Sequence, residues 1–216
     1  MSVQGSPYDL HVHSRYSKDS ALTPEAIVET AKRRGLRGVA VTDHETVKGG
    51  LDARRVALGD LTVIVGYETR IQKQDVICLF VEEETRARSI AELHDKIREN
   101  GGITVLAHPY RMFMLANRET FLNVDAIEVL NARLSRDRNG RALELANDLH
   151  MPKVAGSDAH TLCEIGRAYT IVKGDNPREE ILRGLTVAGG SESPLWVSFL
   201  SLIARTAAVI SNEIRG

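Results

Sequence analysis

Two histidines one residue apart, His11 and His13, are the first side chains in this 216-residue chain whose types and spacing could do chemistry. Side chains alternate faces along a strand, so residues i and i+2 point the same way and both imidazoles can grip one cation. Asp158 and His160 repeat that spacing near the far end of the chain. Between them lie Thr42-Asp43-His44, Gly66-Tyr67-Glu68 and Ala107-His108-Pro109. Mixed imidazole and carboxylate donors suit zinc, manganese or iron better than calcium or magnesium. A carboxylate such as Glu68 can bridge two ions through its two oxygens. Each piece alone is ordinary, since a single histidine or strand-end glutamate is more often structural than a ligand. Their joint arrangement carries the reading: five of the seven histidines fall at or just beyond the end of an expected strand. His94 and His150 sit in or beside helices, lack that context and read as structural or surface residues.

The elements that must position these groups follow from the hydrophobic pattern. Strands are expected at Tyr8 to His13, Gly38 to Thr42, Leu61 to Tyr67, Val76 to Val81 (paired locally with the strand before it) and Ile103 to Ala107, with further strands at Asp125 to Leu130, Lys153 to Ala155 and Tyr169 to Val172. Helices are expected from the Thr23 cap and Pro24 to Arg34, and over Lys48 to Leu58, Ser89 to Asn100, Arg138 to Leu149 and Arg178 to Leu185. Strands alternating with helices argue for an α/β domain with a mainly parallel sheet. Roughly seven strand-helix units favour a closed or distorted barrel over a small open sheet. In such barrels the loops at the C-terminal edge converge, so residues far apart in sequence meet in space.

Composition narrows the partners. A net charge of −1 gives no global field towards nucleic acid or an anionic membrane, and bound metal ions can still supply positive charge for an anionic substrate. Aromatic content of 5% weighs against a long nucleic-acid track built on base stacking. The two cysteines, Cys78 and Cys163, read as reduced thiols, and neither a secretory leader nor a membrane span is evident, so the cytoplasm is the default location.

With these residues in view, the chain resembles the PHP family, the polymerase and histidinol phosphatase domain. The resemblance rests on Asp9-Leu10-His11-Val12-His13-Ser14 with Asp19 following, on Val41-Thr42-Asp43-His44, and on Gly66-Tyr67-Glu68. It continues through Ala107-His108-Pro109-Tyr110-Arg111, Glu128-Val129-Leu130-Asn131 and Gly156-Ser157-Asp158-Ala159-His160, all in family order. It implies a single domain over residues 1–216, folded as a distorted (β/α)7 barrel with two or three divalent ions. One ion would take His11, His13, Glu68 and Asp158. A second would share Glu68 and add His108, with Asn131 nearby. A third would take Asp19, His44 and His160. Relatives often place a stronger ligand where this chain has Asn131, and Glu128 could replace it only if the strand turned its side chain into the site.

The activity this implies is metal-assisted hydrolysis of a small phosphate ester: a nucleotide, the end of a short oligonucleotide, or another phosphomonoester, with histidinol-phosphatase-like activity as an alternative that the shortness of the chain disfavours. Arg15 and Arg111 follow expected ligands closely, and each could clamp a phosphate bidentately. The Asp43 carboxylate could orient a neighbouring imidazole. Two rival readings stand beside this one. An amidohydrolase-type enzyme cleaving C–N bonds also uses His-x-His on a first strand, and a non-catalytic PHP module would keep the metal site without the reaction. Leu195 to Ile214 reads as an amphipathic helix. Packing on the barrel is its first role, a homodimer interface its second, and its few basic residues argue against a membrane surface.

Overall fold

The computed structural model describes residues 5–111 and 118–215. Nine strands form one sheet: β1 (Ser6–Val12), β2 (Gly38–Val41), β3 (Thr62–Ile71), β4 (Gln74–Leu79), β5 (Ile103–Leu106), β6 (Ala126–Asn131), β7 (Lys153–Gly156), β8 (Ala168–Val172) and β9 (Val187–Gly190). Their order across the sheet is β7-β6-β5-β4-β3-β2-β1-β8-β9. β1, β2 and β3 are parallel, as are β5, β6 and β7, and β4 runs antiparallel between the two groups. β8 and β9 add antiparallel pairings beyond β1.

The sheet nearly closes because β1 has two partners along the edge opposite β2. Ser6, Pro7 and Tyr8 pair with β8. Farther along, the His13 N–H donates to the Ala159 carbonyl at 2.9 Å and the Ala159 N–H to that of His11 at 3.3 Å. The segment after β7 is thereby tied to the end of β1, which brings the two His/Asp-bearing termini of the sequence pattern together.

Helices α1 (Pro24–Arg33), α2 (Lys48–Ala57), α3 (Ile90–Glu99), α4 (Arg118–Leu122), α5 (Arg136–Asp148), α6 (Pro177–Leu182) and α7 (Leu195–Arg215) complete the fold. Thr23 caps α1 by accepting the Ala26 N–H at 3.2 Å, and Ser89 caps α3 through the Glu92 N–H at 3.1 Å. The α/β barrel class is as expected, but two of the nine strands, β3 and β7, are followed directly by another strand instead of a helix. β3 and β4 join directly in a hairpin, with Gln72 and Lys73 at φ of 51° and 68° in its turn. β3 therefore continues to Ile71 and carries Glu68 within it instead of at its end. α4 and β9 are additions to the expected elements. Among the described residues, no helix is long and apolar enough to cross a membrane.

Apolar side chains hold the barrel from inside and outside. One cluster plugs its interior with a residue from nearly every strand, among them Leu10, Ala40, Ile64, Ile77, Val105, Ala126 and Val154. Another packs α1 and α2 against the outside through Ile27, Val28, Ala31, Val39, Val41 and Ala53. Val12 belongs to that outer layer although Tyr8 and Leu10 belong to the plug. The change of face coincides with a register shift between Asp9 and Val12 where β1 pairs with β2. An extra residue in one strand resets the alternation of its side chains, and this one turns His11 and His13 inward directly above the plug. A second shift, between Glu128 and Leu130 where β6 pairs with β7, does the same for Asn131, while Glu128 faces inward by ordinary alternation from Ala126.

Candidate metal centre

His11 and His13 project from the end of β1 with their Nε2 atoms 3.0 Å apart, and both rings are fully buried. Hydrogen bonds on the far side of each ring define what these nitrogens offer. His11 Nδ1 lies 3.0 Å from Glu128 Oε1, a carboxylate acceptor, so Nδ1 carries the proton and Nε2 is bare. His13 Nδ1 lies 3.1 Å from Ser17 Oγ. The single Ser17 hydroxyl proton goes to Asp43 Oδ1 at 2.8 Å, and its oxygen also accepts the His44 N–H at 3.0 Å. Ser17 must then accept from His13 Nδ1 as well, which leaves His13 Nε2 bare too. Two facing lone pairs at 3.0 Å need a cation to share.

Without metal that cation is a proton. Burial works against charge on His11, but Glu128 and Glu68 outweigh it and push its pKa up to about 9. Burial and the neighbouring His160 and His44 hold His13 well below its ordinary value, so beyond the two Nδ1 protons only one more is held, at the Nε2 pair.

Carboxylates surround this pair. Glu68 Oε2 lies 3.6 Å from His11 Nε2, 3.5 Å from His13 Nε2 and 3.2 Å from His44 Nδ1. Its Oε1 reaches His108 Nε2 at 2.9 Å. Asp158 Oδ1 stands 3.8 Å from His11 Nε2 and 3.5 Å from His13 Nε2. On the far side, Asp19 Oδ2 is 3.1 Å from His160 Nε2, and Asp19 Oδ1 is 3.7 Å from His44 Nε2. The structure thus brings together His11, His13, Asp19, His44, Glu68, His108, Asp158 and His160. Donor atoms within 4.8 Å of one another form three trios: His11, His13 and Asp158; His11, Glu68 and His108; and His13, His44 and His160.

The donor set fits divalent cations on an independent count. Among the described residues, few buried side-chain polar atoms lack a hydrogen-bond partner, and three of them are Asp19 Oδ1, Glu68 Oε2 and Asp158 Oδ1. An unpaired buried carboxylate oxygen is costly, and three converging on five imidazoles are what a metal cluster would satisfy. Two of the described non-glycine residues with positive φ belong to the cluster. His108 and Asp158 adopt φ of 29° and 54°, conformations that cost a non-glycine residue about 1–3 kcal/mol and collect at functional sites.

Asn131 departs from the ligand role the resemblance implies. Its Oδ1 accepts the Arg133 N–H at 3.0 Å, which fixes the orientation of the amide. The nitrogen Nδ2 faces the cluster, 3.0 Å from Glu128 Oε2 and 3.3 Å from Asp158 Oδ2, so Asn131 offers the site a donor where a ligand needs a lone pair. Glu128 takes the larger part, because Oε1 meets His11 and Oε2 accepts the His108 N–H at 2.8 Å.

The arginines also sort differently from expectation. Arg111 reaches the cluster, its Nη2 bonded to Asp158 Oδ2. Arg15 is exposed and lies over the Tyr16 ring, 5.8 Å from its centroid, so the structure does not bring it to the cluster. Arg133 is closer, with Nη1 2.7 Å from His160 Nδ1 and 3.8 Å from Asp158 Oδ1. Arg205 of α7 also arrives, placing Nε at 2.9 Å and Nη2 at 2.5 Å from Asp19 Oδ2. No local pattern marks Arg205, which reads in the sequence only as a break in an apolar run. Glu164 was equally silent. It is buried, and its Oε2 accepts the His160 and Thr161 N–H groups, both at 2.9 Å.

Comparison with known proteins shows the family of the chain. The profile of the PHP domain matches residues 9–126, and one described as PHP-associated matches residues 136–188. The chain belongs to the PHP domain family. It is 33% identical over 138 residues to the uncharacterized protein MJ1587 of Methanocaldococcus jannaschii, covering 57% of this chain and 81% of that protein. To a "probable phosphatase" of Syntrophotalea carbinolica it is 30% identical over 192 residues, covering 70% and 79%. Its fold matches a two-domain Bacteroides vulgatus protein containing a predicted PHP-like metal-dependent phosphoesterase, with TM-score 0.73 and 19% identity. That match covers 87% of this chain and 65% of the other. It also matches an amidohydrolase from Chromobacterium violaceum with TM-score 0.61 and 18% identity, covering 92% and 96%.

Proposed function

We propose that this protein is a metal-dependent phosphoesterase that hydrolyses a small phosphate ester, such as a nucleotide, a short oligonucleotide end or another phosphomonoester. The observation that carries the reading is the facing pair of bare imidazole nitrogens, His11 and His13 Nε2, ringed by unpartnered oxygens of Glu68, Asp158 and Asp19. His11, His13, Glu68 and Asp158 would hold one ion, Glu68 with His108 a second, and Asp19, His44 and His160 a third. Bound manganese, zinc or iron would supply Lewis acidity and an activated water at neutral pH. Glu128 and Ser17 keep the protons of His11 and His13 on Nδ1, and so keep Nε2 available. Arg111 and Arg133 present guanidinium groups beside Asp158, where they can bind non-bridging phosphate oxygens. A cytoplasmic location, with Cys78 and Cys163 free, belongs to the same reading.

The test pairs elemental analysis of gently purified protein with hydrolysis of a generic aryl phosphate. Two or three ions per chain and chelator-sensitive hydrolysis are expected, with both lost in a His11→Ala, His13→Ala double variant. Hydrolysis retained by that variant would sink the site. The likeness to an amidohydrolase rests, at 18% identity, on fold alone. Amide substrates assayed on the same preparation separate C–N cleavage from phosphoester cleavage. Metal content without either activity would point to a non-catalytic module.

A further inference from the structure

We infer that Arg205 sets how many metal ions the site holds: from α7 its guanidinium takes the cation position at Asp19, so that seating of α7 and filling of the Asp19–His44–His160 position exclude each other. The inference rests on the metal reading above.

Asp19 lies in the loop after β1, 186 residues from Arg205. Its Oδ2 receives the guanidinium at 2.9 and 2.5 Å as well as His160 Nε2 at 3.1 Å. The other oxygen, Oδ1, is buried without a hydrogen-bond partner and stands 3.7 Å from His44 Nε2. A divalent ion at this corner would need the same carboxylate together with the nitrogens of His44 and His160. A guanidinium forked onto Oδ2 already neutralises that carboxylate, and a second cation beside it meets direct repulsion. Arg133, 2.7 Å from His160 Nδ1, adds to the positive charge there.

α7 is built to be released. Among the described side chains of α7, Val197, Ser201 and Ala208 form a narrow buried stripe, whereas Leu195, Trp196, Phe199, Leu202 and Ile203 are all more than half exposed. The helix therefore has little apolar contact with the barrel, and the Arg205–Asp19 pair is a main polar anchor. Since coupling is reciprocal, an ion that displaces Arg205 loosens α7, and a seated α7 weakens that ion.

The chain has one tryptophan, Trp196, in the first turn of α7. The Arg167 guanidinium lies 5.9 Å from its ring centroid, so its emission reports whether the helix is seated. The experiment is a zinc titration of chelator-stripped full-length protein, following bound zinc by elemental analysis after dialysis and Trp196 emission in parallel. Wild type, Arg205→Met and Arg205→Lys are compared. The methionine variant is expected to bind one more ion per chain, or its weakest ion roughly 10- to 100-fold tighter, in the range of typical coupling between sites. The lysine variant, which keeps a cation without the fork, is expected to fall between. In wild type the last ion bound shifts Trp196 emission, and in the methionine variant it does not. Equal stoichiometry and affinity in all three proteins would overturn the competition while leaving the metal centre standing. Absence of zinc from all three would overturn both.

Discussion

Glu128 holds His11 by the nitrogen that faces away from the cluster, with Oε1 3.0 Å from Nδ1, and uses its other oxygen to accept the His108 N–H at 2.8 Å. One buried carboxylate thus sets the tautomer of one candidate ligand and the backbone position of another. In Glu128→Gln the amide can satisfy only one of these two donors. Partners of this kind typically contribute 10- to 100-fold to metal affinity. We expect Glu128→Gln to lower metal affinity by about that factor, measured against a chromogenic chelator, with the far-UV spectrum unchanged. Affinity equal to wild type would mean that His11 is oriented by something else.

Chelation should cost stability as well as activity. Glu68 and Asp158 are both almost fully buried, and each keeps an oxygen without a hydrogen-bond partner. A ligand present at one hundred times its Kd stabilises the folded state by about 2.7 kcal/mol. For a domain of this size that is a rise in Tm of about 5–10 °C. Thermal unfolding with and without excess zinc checks it, and the Glu68→Ala variant is expected to lose most of the difference.

Cys78 gives the fold an alkaline limit separate from the metal. Its thiol lies fully buried in β4, and burial pushes its pKa up from 9.0 to about 12. Tyr67 beside it is also raised, again by burial first. The unfolded thiol ionises above pH 9 and the folded one does not. The stability this group provides is therefore complete below pH 9 and is lost as pH rises towards 12. Tm should fall across that window, and fall less steeply in Cys78→Val. Identical slopes for the two proteins would assign the loss to Tyr67 or to other groups.

Much of this site was legible because its chemistry is carried by residue type and strand position. His11, His13, His44, His108, Asp158 and His160 sit where alternating faces and strand ends place them. Three features were not legible, each for a physical reason. Local pairing of β3 with β4 is expected, but the hairpin carries β3 past Glu68 and turns through Gln72 and Lys73, neither of which is glycine or asparagine, so the signal that would place the turn is missing. Asn131 shares the inward face with Glu128, three residues earlier, only because the β6–β7 register shifts between them, and alternation alone says nothing of such a shift. Arg205 meets Asp19 across almost the whole chain, a contact that tertiary packing creates.

Gly156 tests whether the cluster depends on backbone as much as on donors. It ends β7 directly against His11, and a Cβ there would sit 2.4 Å from the His11 Cβ and 2.8 Å from the His11 nitrogen. Neither atom belongs to a flexible tip, so β1 and β7 must separate to admit a methyl group. Overpacking of this kind costs about 1–3 kcal/mol. It would also displace His11 Nε2 from its partner on His13. Gly156→Ala is therefore expected to lower both Tm and metal affinity, although it removes no donor atom. Gly140 in α5 is the control, since its added Cβ would meet nothing within 4 Å. Gly140→Ala should raise stability by up to about 1 kcal/mol through helix propensity and leave metal binding alone. If Gly156→Ala binds metal as tightly as Gly140→Ala does, the contact with His11 is not what holds the cluster in place.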